Sequence, residues 1–159
     1  MHIEDVRSDP ALLQSDILCL QETWLHPGEE EGEQYYLEGF QGHFTCVGQG
    51  KGVAVYVKNK TANFSYHEIR EPFIQLGKVS LDDVDIITIY RSQEEPLFRA
   101  KHFLKEFINF EKTTLVIGDF NVCPKRRPSN EVSSFLSRNK FNQLVTLPTH
   151  MDGGDFFSL

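Results

Sequence analysis

The 159-residue chain has the size of one domain, and its 13 phenylalanines favour a packed core over disorder. No apolar run approaches the ~20 residues of a membrane span, and the acidic N-terminus, MHIEDVRSDP, does not resemble a signal peptide. A net charge of −7 argues against a protein that coats nucleic acid through bulk electrostatics, but it permits an enzyme that meets phosphate through a metal ion.

The cysteine content bears on the compartment. Cys19, Cys46 and Cys123 are odd in number and lack the spacing of a metal site. Together with the absence of a secretory signal, this pattern predicts an intracellular protein of the nucleus or cytoplasm with reduced thiols. Cys19 lies in the apolar run DILCL, where a small buried hydrophobic residue is expected rather than a ligand.

The first part of the chain predicts mostly strands. A weak amphipathic helix, interrupted at Pro10, precedes them. Apolar or alternating runs then predict five strands, and the last two are joined by the acidic turn DDVD. The runs are DILCLQET, GKGVAVYVKN, FSYHEI, IQLGKVSL and VDIITIY.

The second part adds helices between strands. Leu97 to Phe110 carries apolar residues at helical spacing and predicts the longest helix. TTLVIG predicts a core strand, SNEVSSFLSRN predicts a helix with Ser129 as its N-cap, and FNQLVTL predicts a closing strand. The whole pattern, residues 1–159, indicates one α+β domain, a two-layer β-sandwich flanked by helices. A doubly wound parallel fold fits less well, because several strands follow each other without room for a crossover helix.

Polar side chains end three of the predicted strands. Glu22 follows the first, Tyr90 and Arg91 end another, and Asp119 and Asn121 follow the core strand TTLVIG. Taken singly, ordinary surface, strand and turn roles account for these residues better than catalysis does. If the strand ends converge on one rim, the set suits metal-assisted attack on a phosphate ester, because Mg²⁺ needs only one or two protein carboxylates.

Four motifs occur in an order that resembles the endonuclease/exonuclease/phosphatase superfamily. They are DILCLQETWL, GKGVAVYVKN, IITIYRS and TLVIGDFNVCP. The sequences of these motifs are most similar to LINE-type retrotransposon endonuclease domains, in which PTH (Pro148 to His150 here) also tends to follow. The resemblance runs from about Asp16 to Gly154.

The resemblance implies a role for each residue of the predicted rim. Glu22 corresponds to a metal-binding glutamate, and Tyr90 falls where the family has a tyrosine near the scissile phosphate. Asp119 matches an aspartate that orients or activates water, and Asn121 matches an asparagine that contacts the phosphate. The implied cofactor is Mg²⁺ or Mn²⁺, and the implied partner is nucleic acid. The basic run Lys125, Arg126 and Arg127 is a candidate phosphate contact, although a solvated turn explains it equally well.

The sequence also departs from the family pattern at both ends. No Asn-bearing first strand precedes Met1, and no Ser-Asp-His element follows; His150 belongs to PTH, and the neighbours of Asp155 do not match a late family strand. We therefore expect a domain incomplete at both ends, lacking the catalytic histidine and of weak or no activity as a phosphodiesterase. Two alternatives stay open: a catalytically inactive remnant or binding module, and an inositol or lipid phosphatase.

Overall fold

The computed structural model describes residues 3–29, 32–48, 50–61, 63–122 and 130–145. Its helices are α1 (Ile3–Ser8), α2 (Pro10–Gln14), α3 (Leu97–Phe107) and α4 (Glu131–Arg138), with one 3₁₀ turn at Glu33–Tyr35. Its strands are β1 (Ile17–Gln21), β2 (Phe40–Thr45), β3 (Val53–Lys58), β4 (Ser65–Glu71), β5 (Ile74–Ser80), β6 (Val84–Arg91) and β7 (Thr113–Asp119).

The strands form two sheets. The first has the order β1-β3-β2 and is antiparallel, and the second has the order β4-β5-β6-β7. In the second sheet β4, β5 and β6 are antiparallel neighbours joined by short turns, whereas β6 and β7 are parallel. A parallel pair requires a crossover connection, which α3 supplies. The predicted α+β sandwich with outer helices is confirmed.

Apolar layers hold the two sheets and the helices together. Between the sheets, three valines of β3 pack against Val79 and Tyr90. The opposite face of β3 packs under α1 and α2, which explains why five successive β3 residues are buried rather than alternately exposed. The outer face of β5 and β6 is covered by α3 and α4. No helix in the described part of the chain combines the length and apolarity needed to cross a bilayer.

Cys19 lies at the edge of the layer between the sheets, as the apolar run around it predicts. Burial raises the pKa of its thiol to about 11, against the opposing effect of a hydrogen bond with Thr88. A thiol with this pKa stays protonated at neutral pH and is a poor nucleophile.

Three sequence predictions about elements were wrong. Strand β2 was not predicted, because its sequence FQGHFT lacks β-branched residues before Thr45; pairing along the whole of β3 forms it. The cap of α4 is Asn130 rather than Ser129, since Asn130 Oδ1 accepts hydrogen bonds from the backbone N–H groups of Val132 and Ser133. Helix α3 also ends at Phe107, before Phe110.

A further error concerns the closing strand predicted in FNQLVTL. Phe141 to Val145 form no strand, and the last two residues of that segment lie outside the described residues. Lys140 adopts a φ of 64° directly after α4, and the Phe141 N–H donates to the Leu136 carbonyl at 3.0 Å. This helix-ending motif turns the chain back, so that Phe141 packs on the core beside α4 instead of entering a sheet.

The acidic turn DDVD buries its last carboxylate. Asp85 is 1% exposed, and its carboxylate lies 2.6 Å from Lys78 Nζ and 3.7 Å from Lys112 Nζ. Burial alone would raise the pKa of Asp85, but hydrogen bonds from Lys78 and Ser80 and the two lysine charges outweigh it and hold the pKa below its usual value. Asp85 therefore ties β5 and β6 to the segment that leads into β7.

A glycine in β7 lies directly against the backbone of β6. Gly118 has a φ of 152° and pairs with Ile89; a Cβ at Gly118 would lie 1.9 Å from the Ile89 carbonyl oxygen. No side chain fits at that distance without moving one of the two strands. Gly118 thus allows β7 to pair with β6 up to its last residue, Asp119.

We predict that Asp85→Asn lowers the free energy of unfolding by about 3–5 kcal/mol at pH 7, since Asp85 is buried and its loss leaves two partly buried ammonium groups without their anion. Because the folded pKa is depressed, this contribution is present above the unfolded value of about 3.9 and is lost as the pH falls through the folded pKa. Urea unfolding from pH 7 to 3 measures both effects. The exposed Asp83→Asn is the control, and equal midpoints for the two variants at pH 7 would contradict the assignment.

We predict that Gly118→Ala destabilises the protein by about 2–3 kcal/mol, because the added methyl group forces β7 away from Ile89. The matched control is Gly39→Ala, which also has a positive φ, 82°, but has no atom within 4 Å of the added carbon. Denaturant unfolding of both variants separates the steric clash from the backbone strain that they share. A loss at Gly118 no larger than that at Gly39 would show that the close approach is not required.

Candidate active site

The end of β1 is fastened to the second sheet. Gln21, the last residue of β1, donates from Nε2 to Thr88 Oγ1 of β6 at 2.8 Å. Glu22 follows with an exposed side chain. This bridge between the sheets holds Glu22 beside the end of β6. Sequence reasoning did not identify Thr88, whose only signal is a polar residue within an apolar strand.

Tyr90 and Asp119 are direct neighbours across the parallel β6–β7 pair. The Tyr90 ring is 6% exposed and packs in the layer between the sheets. Asp119 ends β7 and is partly exposed. The convergence expected from the sequence is therefore found for these two strand ends, and the pairing register produces it.

The charges at this rim act on the Tyr90 phenol. Burial raises its pKa, and the carboxylates of Glu22, Asp119 and Glu94 raise it further, while Arg91 opposes them. The phenol is therefore a neutral hydrogen-bond donor at neutral pH. Tyr90 pairs with Asp119, and Glu22 directly follows Gln21, which is hydrogen-bonded to β6, so the structure brings these three predicted residues to one rim; their chemical roles stay predictions.

Asn121 is held beside Asp119 by two hydrogen bonds. Its backbone N–H donates to Asp119 Oδ1 at 2.7 Å, and its Nδ2 donates to the Arg91 carbonyl at 2.8 Å. An amide nitrogen carries two hydrogens, so one N–H of the Asn121 side chain is left for another acceptor. The turn thus fixes the positions of both the carboxylate and the carboxamide.

Arg91 does not present its guanidinium at the rim, contrary to the sequence expectation. The residue is 4% exposed, and its Nε donates to the Phe120 carbonyl at 2.7 Å. Further donations reach the carbonyls of Asn121 and Glu95. The guanidinium therefore organises the turn after β7 from inside, because backbone carbonyls that leave the sheet need other donors.

Backbone strain is concentrated at the same place. Across the described residues, four non-glycine residues have a positive φ, and three of them lie here: Glu22 at 54°, Trp24 at 62° and Asn121 at 50°. Asparagine tolerates this conformation, but for Glu and Trp it costs of order 1–3 kcal/mol and requires support from the surrounding structure. Such strain is typical of functional sites.

The oxygen atoms at the rim suit a hard divalent cation that takes few protein ligands and keeps several waters. Within the described residues, no three His, Cys, Asp or Glu side chains are grouped to hold a metal ion. The carboxylates of Glu22 and Asp119, both acting on the Tyr90 phenol, supply the one or two oxygen ligands that Mg²⁺ takes when it keeps several waters. The residues present therefore fit Mg²⁺ or Mn²⁺.

Several candidates from the sequence lie outside the described residues. These are the basic run Lys125, Arg126 and Arg127, the PTH element Pro148 to His150, and Asp155. Their predicted contributions stay predictions.

A cavity of about 580 Å³ lies apart from the rim. It is lined mainly by aromatic residues of the 3₁₀ turn, β2 and β3, among them Tyr35, Phe44 and Tyr56. Tyr56 belongs to the face of β3 that packs toward α1 and α2, away from the second sheet. The cavity includes none of the candidate residues, so the candidate site is the rim itself.

Comparison with solved structures gives the same fold. The AP endonuclease from Archaeoglobus fulgidus superposes with a TM-score of 0.54 at 21% identity, over 82% of this chain and 56% of that one. Humanized D. rerio TDP2 gives a TM-score of 0.55 at 12% identity, over 90% and 60%. D. rerio TDP2 complexed with a single-strand DNA product gives 0.54 at 12% identity, over 90% and 59%. The chain thus spans 56–60% of the length of these structures.

Sequence comparison identifies the family. No curated protein matches this chain in sequence. The profile described as the Endonuclease/Exonuclease/phosphatase family matches residues 4–157, almost the whole chain. This match agrees with the four motifs and with the sandwich that brings their strand ends together. The chain therefore belongs to the endonuclease/exonuclease/phosphatase family.

Proposed function

We propose that this chain is a single domain of a divalent-metal-dependent phosphodiesterase that acts on nucleic acid. The observation that carries the proposal is the placement of Glu22, Tyr90 and Asp119 at one rim: Tyr90 and Asp119 pair across β6 and β7, and Glu22 follows the residue that hydrogen-bonds β1 to β6. Family membership supports the reaction class, and the fold alone would not.

The roles proposed for the side chains are those that the family resemblance implies, and their surroundings support them. A bound Mg²⁺ or Mn²⁺, held by Glu22, would neutralise charge on the phosphoryl oxygens. Asp119, whose Oδ1 accepts the Asn121 N–H, positions and deprotonates the attacking water. Tyr90, neutral because its pKa is raised, donates to a phosphate oxygen, and Asn121 does so through its remaining amide hydrogen.

Two observations support nucleic acid as the substrate. The sequences of the motifs resemble retrotransposon endonuclease domains. The structurally similar proteins include an AP endonuclease and a TDP2 complexed with a single-strand DNA product. The proposed Lys125 to Arg127 contact would add positive charge from a segment that follows Asp119 closely in the sequence. An intracellular location with reduced thiols is proposed from the number and spacing of the cysteines.

We predict that the chain nicks a plasmid only with Mg²⁺ or Mn²⁺ and that Asp119→Asn lowers the rate by ~10²–10⁴-fold, the usual contribution of a positioned base. Glu22→Gln should shift the Mg²⁺ concentration needed for half-maximal rate upward. It should also abolish the rise in melting temperature that Mg²⁺ produces by binding the folded state, a readout that does not need turnover.

The matched control is Asp16→Asn. Asp16 is an exposed acid beside the first residue of β1, at the opposite end of the strand from Glu22, and it pairs with Lys60 at 3.4 Å. Its substitution should leave cleavage unchanged. Cleavage that resists both EDTA and Asp119→Asn would refute the proposal, and turnover of inositol phosphates in preference to DNA would favour a phosphatase instead.

A further inference from the structure

An exposed tryptophan stands directly beside the candidate site. Trp24 is 52% exposed, follows Glu22 by two residues, and is held at a φ of 62°. Its backbone N–H donates to the Lys51 carbonyl at 3.1 Å, which ties it to the loop before β3. A strained backbone that keeps the largest aromatic side chain in water has a cost, because burial would stabilise it.

A second exposed aromatic lies at the same rim. Phe73, in the turn between β4 and β5, is 39% exposed, and Lys51 Nζ lies 4.2 Å from the centre of its ring. The Phe73 carbonyl accepts the Ser92 N–H at 2.8 Å, which places this turn beside the end of β6, two residues after Tyr90. Lys51 therefore connects Trp24, through its backbone, with Phe73, through its ammonium group.

Isolated exposed aromatics are common on protein surfaces and carry no meaning by themselves. Phe98 on α3 and Phe110 before β7 are of that kind. Trp24 and Phe73 differ in three respects: both adjoin the strand ends of the candidate site, both contact the same lysine, and one has a strained backbone. An aromatic face with an adjacent cation is the chemistry that binds an unpaired nucleobase and its phosphate.

We propose that Trp24, Phe73 and Lys51 form a stacking platform for an unpaired nucleobase next to the scissile phosphate. Trp24 stacks on the base, and Lys51 contacts the adjoining phosphate. Phe73 packs against the lysine and extends the apolar surface. The inference rests on the proposed function and makes it more specific, because a base inside a duplex has both faces covered by its neighbours in the stack and offers none to Trp24. The preferred substrate is therefore a single-stranded or frayed strand rather than an intact duplex.

The acidic balance of the chain supports stacking as a main source of affinity. With a net charge of −7, general attraction for polyphosphate is weak, so the aromatic contacts carry a large share of binding. Each phosphate neutralised on a single strand contributes about −0.7 to the slope of log K against log salt. Removal of Lys51 should reduce the slope by about that amount.

The test uses the full 159-residue chain in EDTA, so that binding is measured without cleavage. Trp24 is the single tryptophan of the chain, and its fluorescence reports on its own surroundings. The probes are an oligothymidylate, a blunt hairpin duplex, and an oligomer of abasic sugar-phosphate units with the same number of phosphates. We expect strong quenching by the oligothymidylate and little by the other two.

Substitutions test whether the platform residues supply the affinity for oligothymidylate. Phe73→Leu, measured by Trp24 quenching, and Trp24→Leu, measured by anisotropy of labelled oligothymidylate, should each weaken binding about tenfold. Lys51→Gln should lower the salt slope. The controls are Phe110→Leu and Lys60→Gln, which lie away from the rim and should bind like the unmodified chain. Circular dichroism confirms that each variant is folded.

The outcomes separate the two proposals. Equal quenching by the abasic oligomer, or unchanged affinity in both Trp24→Leu and Phe73→Leu, overturns the platform, even if cleavage depends on Asp119. Base-dependent quenching without any metal-dependent cleavage supports the platform but removes the nuclease proposal. Base-dependent quenching together with Asp119-dependent cleavage supports both.

Discussion

The contact between Gly118 and the Ile89 carbonyl is the constraint on which the candidate site depends. Parallel pairing of β6 and β7 as far as Asp119 puts Tyr90 beside Asp119, and a Cβ at Gly118 would disrupt this pairing because it would lie 1.9 Å from the Ile89 carbonyl oxygen. The turn that follows is equally determined, since Asn121 and the buried Arg91 hold its backbone groups. The carboxylate, phenol and carboxamide are thus positioned by strand pairing together with the side-chain hydrogen bonds of Arg91 and Asn121.

Much of this arrangement could be predicted from the sequence. Alternating and apolar runs located six of the seven strands found in the described residues, and polar residues at strand ends identified Glu22, Tyr90 and Asp119 as candidates. The predictions failed where tertiary contacts override local preference. Strand β2 forms because it pairs with β3, and the apolar segment after α4 forms no strand because a positive φ at Lys140 turns it back onto the helix.

The face of the sheet that each side chain occupies was harder to predict from the sequence. Arg91 and Tyr90 are adjacent on β6 and therefore point to opposite faces of the sheet. The sequence suggested that both serve the rim, but only Tyr90 faces the layer between the sheets, and Arg91 joins the loop on the other side. The charges at the rim are consequently mostly negative, which suits a cation and keeps the phenol protonated. Which face a residue occupies depends on register, and register depends on partners that are distant in sequence.

The bridge from Gln21 to Thr88 has a mechanical consequence. Glu22 follows a strand of one sheet and Tyr90 belongs to the other, so the separation of the two groups depends on the spacing of the sheets, which the apolar layer and this hydrogen bond set. Packed layers resist compression, but they can slide past each other when side-chain volumes change. A substitution deep in that layer, at Val55 for example, would therefore alter the geometry of the rim without touching any residue in it. In this fold the packing of the interior determines the geometry of the site. Core mutations should therefore reduce activity more readily than they reduce stability.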